Sequence, residues 1–359
     1  KSTDRGDTQI AEIFNEATNS FVSDREFSNE FVYNETVHAA YLQYGGSIGF
    51  FGINAGGRYE TVEMLSELKT TNETFKNPYS SFYPSLSVSF GAPQLLQIQT
   101  SYSKRVNRPR SRMLNPFSSR QDNKNLRVGN PFLKPEYTDS YEINFSRFSR
   151  GLSLSLGGYY RHTTDKMQRH KEMRADGVSV ATYANITDQK TQGIDYSVVG
   201  SLGKKLRLMF SGSVFWDEIN TELYGSDYDN TSQGQRLRFT TMWNMNPTTE
   251  FSFFMFYMPA RDIAIGKMDA MSFSSMSLKK KFMEERFNLT LNVSDPFNLS
   301  GFSFYTEGDN WQQQSSRNWS SRTVRLTLEY RFGKMEDKSR YSRQRGEGMD
   351  MEEGAGEIF

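Results

Sequence analysis

Three histidines, one acidic loop and one run of arginines are the residues of this 359-residue chain whose types could do chemistry. His38, His162 and His170 have no pair at the i, i+4 spacing that sets two imidazoles on one face of a helix, so a helical metal site is not indicated. His162 and His170 flank the top of a predicted strand and read as solvated loop histidines. Asp227, Asp229 and Asn230 outline a calcium loop but lack its glycine and distal glutamate, and an ordinary acidic loop is the better reading. Neither a Gly-x-Ser-x-Gly elbow nor a phosphate-binding glycine loop occurs. With no cysteine there is no disulfide, no thiolate metal site and no cysteine nucleophile. The expectation is a protein that is not an enzyme, with no catalytic residue, no metal and no cofactor.

The arginines are a stronger signal. Arg105, Arg108, Arg110, Arg112, Arg120, Lys124 and Arg127 crowd one predicted loop. A guanidinium presents a planar fork that fits carboxylate or phosphate. The candidate ligand-binding residues are therefore Arg105, Arg108, Arg110, Arg112 and Arg127, set to capture an anionic ligand or to bridge lipopolysaccharide phosphates. The competing reading is a solvated loop kept soluble by its charge. Nucleic acid is not implied, because 43 basic residues balance 42 acidic ones and no recognition motif is present.

The elements that must carry these residues are strands. Tyr137, Tyr141, Ile143 and Phe145 alternate with Thr138, Ser140, Glu142, Asn144 and Ser146, a period of two that marks a strand with one apolar face. Ser149, Arg150 and Gly151 then turn the chain, and Leu152, Leu154 and Leu156 alternate with Ser153, Ser155 and Gly157. The same unit recurs from ETVHAAYLQY at Glu35 to TVRLTLEYRF at Thr323, giving about thirteen strands of roughly ten residues, the length a tilted strand needs to cross hydrocarbon. Short turns alternate with long polar intervals such as Thr163 to Gln189 and Asp217 to Gly234. That asymmetry belongs to membrane barrels rather than soluble sandwiches. No run approaches the roughly 18 to 20 apolar residues of a membrane helix, the longest candidate being Phe251 to Met258.

The fold expected is all-β, an antiparallel transmembrane β-barrel with about 13 to 14 strands present. Residues 1–33 read as a polar loop segment or truncated strand region, with a short helical piece around Ile10 to Ala17. Residues 34–333 form the barrel, and residues 334–359 a disordered periplasmic tail. Counting strands from the periplasmic end leaves Glu35 to Gly45 descending, so the chain is expected to begin in mid-barrel. A strand within Phe21 to Val32 would instead complete a self-contained barrel of about 14. Tyr141, Ile143 and Phe145 should face lipid, while Glu142, Asn144, Arg325 and Glu329 face the lumen. Aromatic girdles are expected from Tyr41, Tyr44, Tyr59, Tyr102, Tyr159, Tyr160, Trp216, Trp243, Tyr257 and Tyr330. Phe251 to Met258 is apolar on both faces, and its inward set is expected to pack against a plug, an inserted loop or a ligand.

Several motifs carry a family resemblance. SKRVNRP from Ser103, LNPF from Leu114, GNPFLKPE from Gly129, YANI from Tyr183 and the final LTLEYRFGK resemble the C-terminal half of TonB-dependent outer-membrane receptors, above all the barrel family abundant in Bacteroidota. The likeness runs from about Glu30 to Lys334. It implies a barrel of about 22 strands with its plug and N-terminal strands missing here. It further implies location in the outer membrane of a Gram-negative cell, contact with lipid and lipopolysaccharide, and energy-coupled uptake of a nutrient such as a siderophore, glycan or peptide. TonB would be reached only through the absent plug, and a surface lipoprotein is a further partner. A passive porin-like channel and a non-transporting surface-binding barrel are the alternatives.

Overall fold

Alternation of apolar and polar residues over stretches of eight or more positions leaves the backbone extended and one face greasy, and such strands find stability only beside one another. The structure is a computed structural model that describes residues 2–10, 12–15, 18–23, 28–92, 96–117, 119–122, 124–223, 226–263, 266–308, 311–317 and 322–332. The expected C-terminal tail lies outside them. Fourteen strands form one wall: β1 Ser2–Gln9, β2 Asn29–Ile48, β3 Phe51–Leu68, β4 Tyr79–Ala92, β5 Leu96–Asn107, β6 Glu136–Ser149 and β7 Leu152–Met173, followed by β8 Ser179–Leu202, β9 Leu206–Leu223, β10 Ser226–Asn246, β11 Thr249–Met258, β12 Met271–Phe282, β13 Phe287–Ser294 and β14 Thr323–Tyr330. Each pairs antiparallel with its chain neighbour. Glu73–Lys76, Ser119–Asp122 and Asn125–Arg127 attach at the rim and complete a seventeen-stranded sheet.

The thirteen strands expected from Glu35 onward are β2 to β14. The fourteenth differs from the expected one. Asn29 to Val32 belongs to β2, Ser20–Ser23 pairs with Glu12–Asn15 in a small hairpin, and the added wall strand is Ser2–Gln9. The hairpin also occupies the place of the helix expected around Ile10 to Ala17. A helix that short satisfies few of its own amides, whereas the hairpin pairs them and sets Phe14 edge-on to Phe21 at 5.3 Å.

Reading the register sideways shows the two faces. Ile53, Val88, Thr100, Ile143, Gly158, Ile194 and Val214 lie in one row across seven strands. Phe51, Phe90, Ile98, Phe145, Leu156 and Tyr196 lie in the next, and Phe251, Leu278, Leu291 and Leu326 continue the belt on the later strands. These side chains are uncovered by protein: Ile143 is 42% exposed and Leu326 60%. A contiguous apolar band of this extent suits hydrocarbon rather than water. Its upper border is an aromatic line, Tyr102, Tyr141 and Tyr160, with ring centroids 5.0 and 6.3 Å apart. Just above it the Tyr102 hydroxyl donates to Asp139 at 2.7 Å and Lys104 pairs with the same carboxylate at 3.5 Å.

Two of the expected girdle aromatics face the other way. Tyr41 stands opposite Arg58, on the face of Glu60, and Tyr159 lies under the Arg161 guanidinium at 4.2 Å. Composition at a strand end cannot tell the faces apart, because a one-residue step reverses them and only pairing with neighbours fixes the parity. Glu142 and Asn144 on β6, and Arg325 and Glu329 on β14, lie on the inner face.

The long polar intervals are not loops throughout. β7 and β8 run on past the belt to Met173 and Ser179, and β9 and β10 to Leu223 and Ser226, so the stretches expected as loops from Thr163 and from Asp217 are tall hairpins. A hairpin pairs its own amides and needs no apolar face once it stands in water. The opposite ends are tight, as at Arg150-Gly151, where Gly151 has φ +78° and crosses a region costly for other residues. The sheet is not closed. Among the described residues no pairing joins β14 to β1 or β2, and β1 covers only Asn29 to Thr36 of β2.

The belt sets an assembly test. Ile143→Lys should destabilise the inserted protein by about 2 to 4 kcal/mol near the midplane, while Asn144→Lys one residue away should be tolerated. Urea unfolding in bilayers would measure both, and equal losses would mean that the faces are assigned wrongly.

Candidate functional site

The segment between β5 and β6, residues 108–135, carries the arginine run and the GNPFLKPE motif, and part of it is core rather than solvated loop. Pro131, Leu133 and Pro135 are buried while Phe132 and Lys134 between them are exposed. The prolines hold the chain extended, so alternate residues turn inward together. Leu133 and Leu114, both fully buried, pack with Phe31, Tyr33, Met64 and Leu68 from the upper ends of β2 and β3, and with Met167 and Tyr183 from β7 and β8. The segment thus lies between two stretches of wall well separated in the strand order.

Polar groups pin it in place. The Asn77 amide donates to the Leu133 carbonyl at 2.8 Å, and the Asn130 amide to the Tyr183 carbonyl at 3.1 Å. Asn185 accepts from the Lys134 amide at 2.8 Å and donates to the Lys134 carbonyl at 2.9 Å. Rim strand Asn125–Arg127 runs parallel to Ser179–Ala181 of β8. Gly129 makes the fold-back possible, since a Cβ there would stand 2.8 Å from the Met113 carbonyl oxygen and closer still to that of Asn115.

The five candidate arginines do different things. Arg108 donates to the Tyr79 hydroxyl at 2.6 Å and pairs with buried Glu60, which Arg58 also meets at 2.6 Å. It is an internal tie. Arg105, Arg110, Arg112 and Arg127 are exposed and sit on β5, at the start of the short helix Ser111–Leu114, within it, and on the rim strand. The Arg120 side chain lies outside the described residues, as do those of Asp227, Asp229 and Asn230. His162 lies 3.2 Å from Asp188 and His170 3.4 Å from Glu172, and among the described residues no three His, Asp or Glu converge as metal ligands would.

A second cover comes from the other side. Arg261–Ile263, Gly266–Met268, Phe302–Gly308 and Trp311–Arg317 form a four-stranded sheet. Met268 and Phe302 pack on Met258 and Phe256 of β11. The inward side of the doubly apolar stretch therefore meets an inserted loop, and Phe254 pairs with Phe273 at 6.0 Å. The Lys171 ammonium of β7 donates to Gln313 at 3.1 Å, so this small sheet reaches the upper end of β7.

Beneath the two covers the inner wall is charged and aromatic. Arg161 meets Glu142 at 3.3 Å. Phe215 lies between the guanidiniums of Arg236 and Arg261, at 5.0 and 5.5 Å from its ring centre, and Arg261 reaches Asp217 at 3.7 Å. Gly193 and Gly234 leave the floor open under Tyr159 and Phe215, each ring lying over the glycine opposite it. Above the belt, burial pushes the Lys166 ammonium below its ordinary range, against the raising effect of Glu136 and Asp217. The arrangement can hold and orient a polar guest. Sequence reasoning missed Arg161, Arg236 and Arg261, whose signal was their inward parity on β7 and β10 and their place in a long interval.

Comparisons with known proteins agree with this architecture. Residues 1–330 match the family described as the outer membrane protein beta-barrel family. The fold is similar to the FrpB iron transporter of Neisseria meningitidis (F3-3 variant), at 15% identity and TM-score 0.56, over 85% of this chain and 46% of that one. It is similar to the copper transporter OprC, at 12% identity and TM-score 0.61, over 84% and 48%. It is also similar to the ferric citrate transporter FecA in its unliganded form, at 12% identity and TM-score 0.59, over 91% and 49%. The chain spans about half the length of these solved structures. By sequence, no curated protein matches.

The segment 108–135 can be released by one atom. Gly129→Ala should lift it from the wall and expose the bonds after Arg110, Arg112 and Arg127 to trypsin in folded protein. Unchanged digestion would show that the fold-back does not hold the segment. Leu133→Ala should cost about 2 to 5 kcal/mol in the stability of the same contact set, read by denaturant unfolding.

Proposed function

This chain belongs to the outer membrane protein beta-barrel family, and from that premise we propose that it is the C-terminal barrel portion of a TonB-dependent transporter. It lies in the outer membrane. The observation that carries the reading is a wall whose two edges are, among the described residues, not paired with each other, and whose mouth is nevertheless filled by its own inserted segments. In hydrocarbon, unpaired strand edges are costly, so a membrane sheet must close on itself. Further strands between β14 and β2 supply that closure in this reading. A passive fourteen-stranded channel would instead need β14 hydrogen-bonded to β1, a pairing absent among the described residues.

The protein's role in this reading is transport without catalysis: a scarce nutrient such as a siderophore, glycan or peptide enters when the mouth segments and a plug move. The neighbours whose fold it shares are named as iron, copper and ferric citrate transporters, which supports uptake as the class of activity and leaves the cargo to be measured. Arg105, Arg110, Arg112 and Arg127 form the exposed cationic rim that meets anionic cargo or lipopolysaccharide phosphates, and Arg108 stays within the wall. TonB engages through the plug, and a surface lipoprotein would dock on the outer end.

Energy coupling is the test. Cells that depend on this transporter should lose uptake of its nutrient when tonB is deleted or the proton gradient is collapsed, and the protein should carry a plug domain with a TonB box. Uptake that persists under both treatments would sink the reading, as would liposome swelling by the purified protein at porin-like rates.

A further inference from the structure

Several of the cations that face the lumen sit beside a carboxylate. Arg58 meets Glu60, Arg161 meets Glu142, Arg261 meets Asp217, and Lys281 meets Glu250 at 2.7 Å. Arg238 of β10 makes no ion pair among the described residues, and it opens onto a recess of about 340 Å³ in the inner wall. The register shows how that recess is built. Ser155, Ser197, Ser211 and Arg238 form one row across β7 to β10, and Asn144, Gly157, Asp195, Ser213 and Arg236 form the row beside it. Two guanidiniums on one strand therefore face a floor of hydroxyls, with Phe256 opposite Arg238 as a wall and Asp195 as the one carboxylate among the described residues that line it.

Neutral hydroxyl donors beside an unpaired guanidinium complement an oxyanion better than a cation or an apolar group. Gly157 lets the Asn144 amide lie across it, since a Cβ there would stand 2.5 Å from Asn144 Oδ1, and that amide adds a neutral polar group to the lining. A row of three serines ending on Arg238 is a built surface rather than a lone solvated charge.

We propose that this recess between β6 and β11 binds an oxyanion group, carboxylate or phosphate, of the molecule that passes through the lumen, with Arg238 as the principal contact and Arg236 as its second. The proposal deepens the transport reading but does not need transport to be observed.

Titration calorimetry of the full-length protein in detergent micelles, with inorganic phosphate and succinate as separate probes, tests it. Arg238→Gln should weaken binding of the preferred probe by roughly tenfold or more, and Arg238→Lys, which keeps the charge and loses the fork, should fall between. Arg207→Gln, lower on the inner face of β9, should bind as the parent does. Whichever probe binds identifies the chemistry: phosphate alone, carboxylate alone, or both. Heat-modifiable mobility on gels confirms that each variant is folded. Equal affinity in parent and Arg238→Gln protein, an equal loss in Arg207→Gln, or no binding of either probe overturns the site. Binding that depends on Arg238 in a protein whose uptake ignores TonB would overturn the transport reading and leave this site standing.

Discussion

Backbone hydrogen bonding between chain neighbours is the constraint on which everything else here rests. A sheet in hydrocarbon has no water to satisfy its amides, so each strand must be flanked by others. The simplest way to arrange that is a meander, strand after strand in chain order. Once β6 is registered against β5 and β7, the direction of every side chain on it is settled, and the settled parity passes from strand to strand across the wall. The continuous outer rows of Ile, Val, Leu, Phe and Tyr are the visible result. So is the inner wall, where serine, arginine and carboxylate rows stack at the same spacing.

The same parity explains why aromatic residues serve two ends. On the outer face, Tyr102, Tyr141 and Tyr160 cap the belt where hydrocarbon gives way to polar groups. On the inner face, Tyr159 and Phe215 lie flat over glycines and offer their ring faces to Arg161, Arg236 and Arg261. Flat rings over glycine cover otherwise bare backbone and position guanidiniums without a carboxylate for each. Stiff inner rings and paired cations give the lumen a fixed shape, against which a guest or a moving segment can be discriminated.

The mouth is governed by a different balance. Residues 108–135 and the small four-stranded sheet bury apolar side chains against the upper strand ends, where no lipid is available to do so. Their contacts are few and local compared with the strand pairing below. Elements held by a handful of side chains open at lower free energy than a sheet.

Strands β2 to β14 were legible in the amino-acid order, because period-two alternation is a local property and all of them but the doubly apolar β11 show it. Legible too were the outward Tyr141, Ile143 and Phe145, and the family, through GNPFLKPE and its companions. Less was legible wherever long-range pairing decides. Whether Tyr41 and Tyr159 face lipid or lumen depends on their partners, not on their own neighbours in the chain. That the intervals after Thr163 and Asp217 stand up as hairpins follows from two polar stretches finding each other. The arginine run showed its charge but not that Arg108 turns inward to Glu60 and Tyr79, since Glu60 lies on β3. Local periodicity therefore determined the strands from β2 to β14 and their polarity. Only the tertiary structure decided which residues meet across the wall, because that depends on hydrogen-bond register between segments distant in sequence.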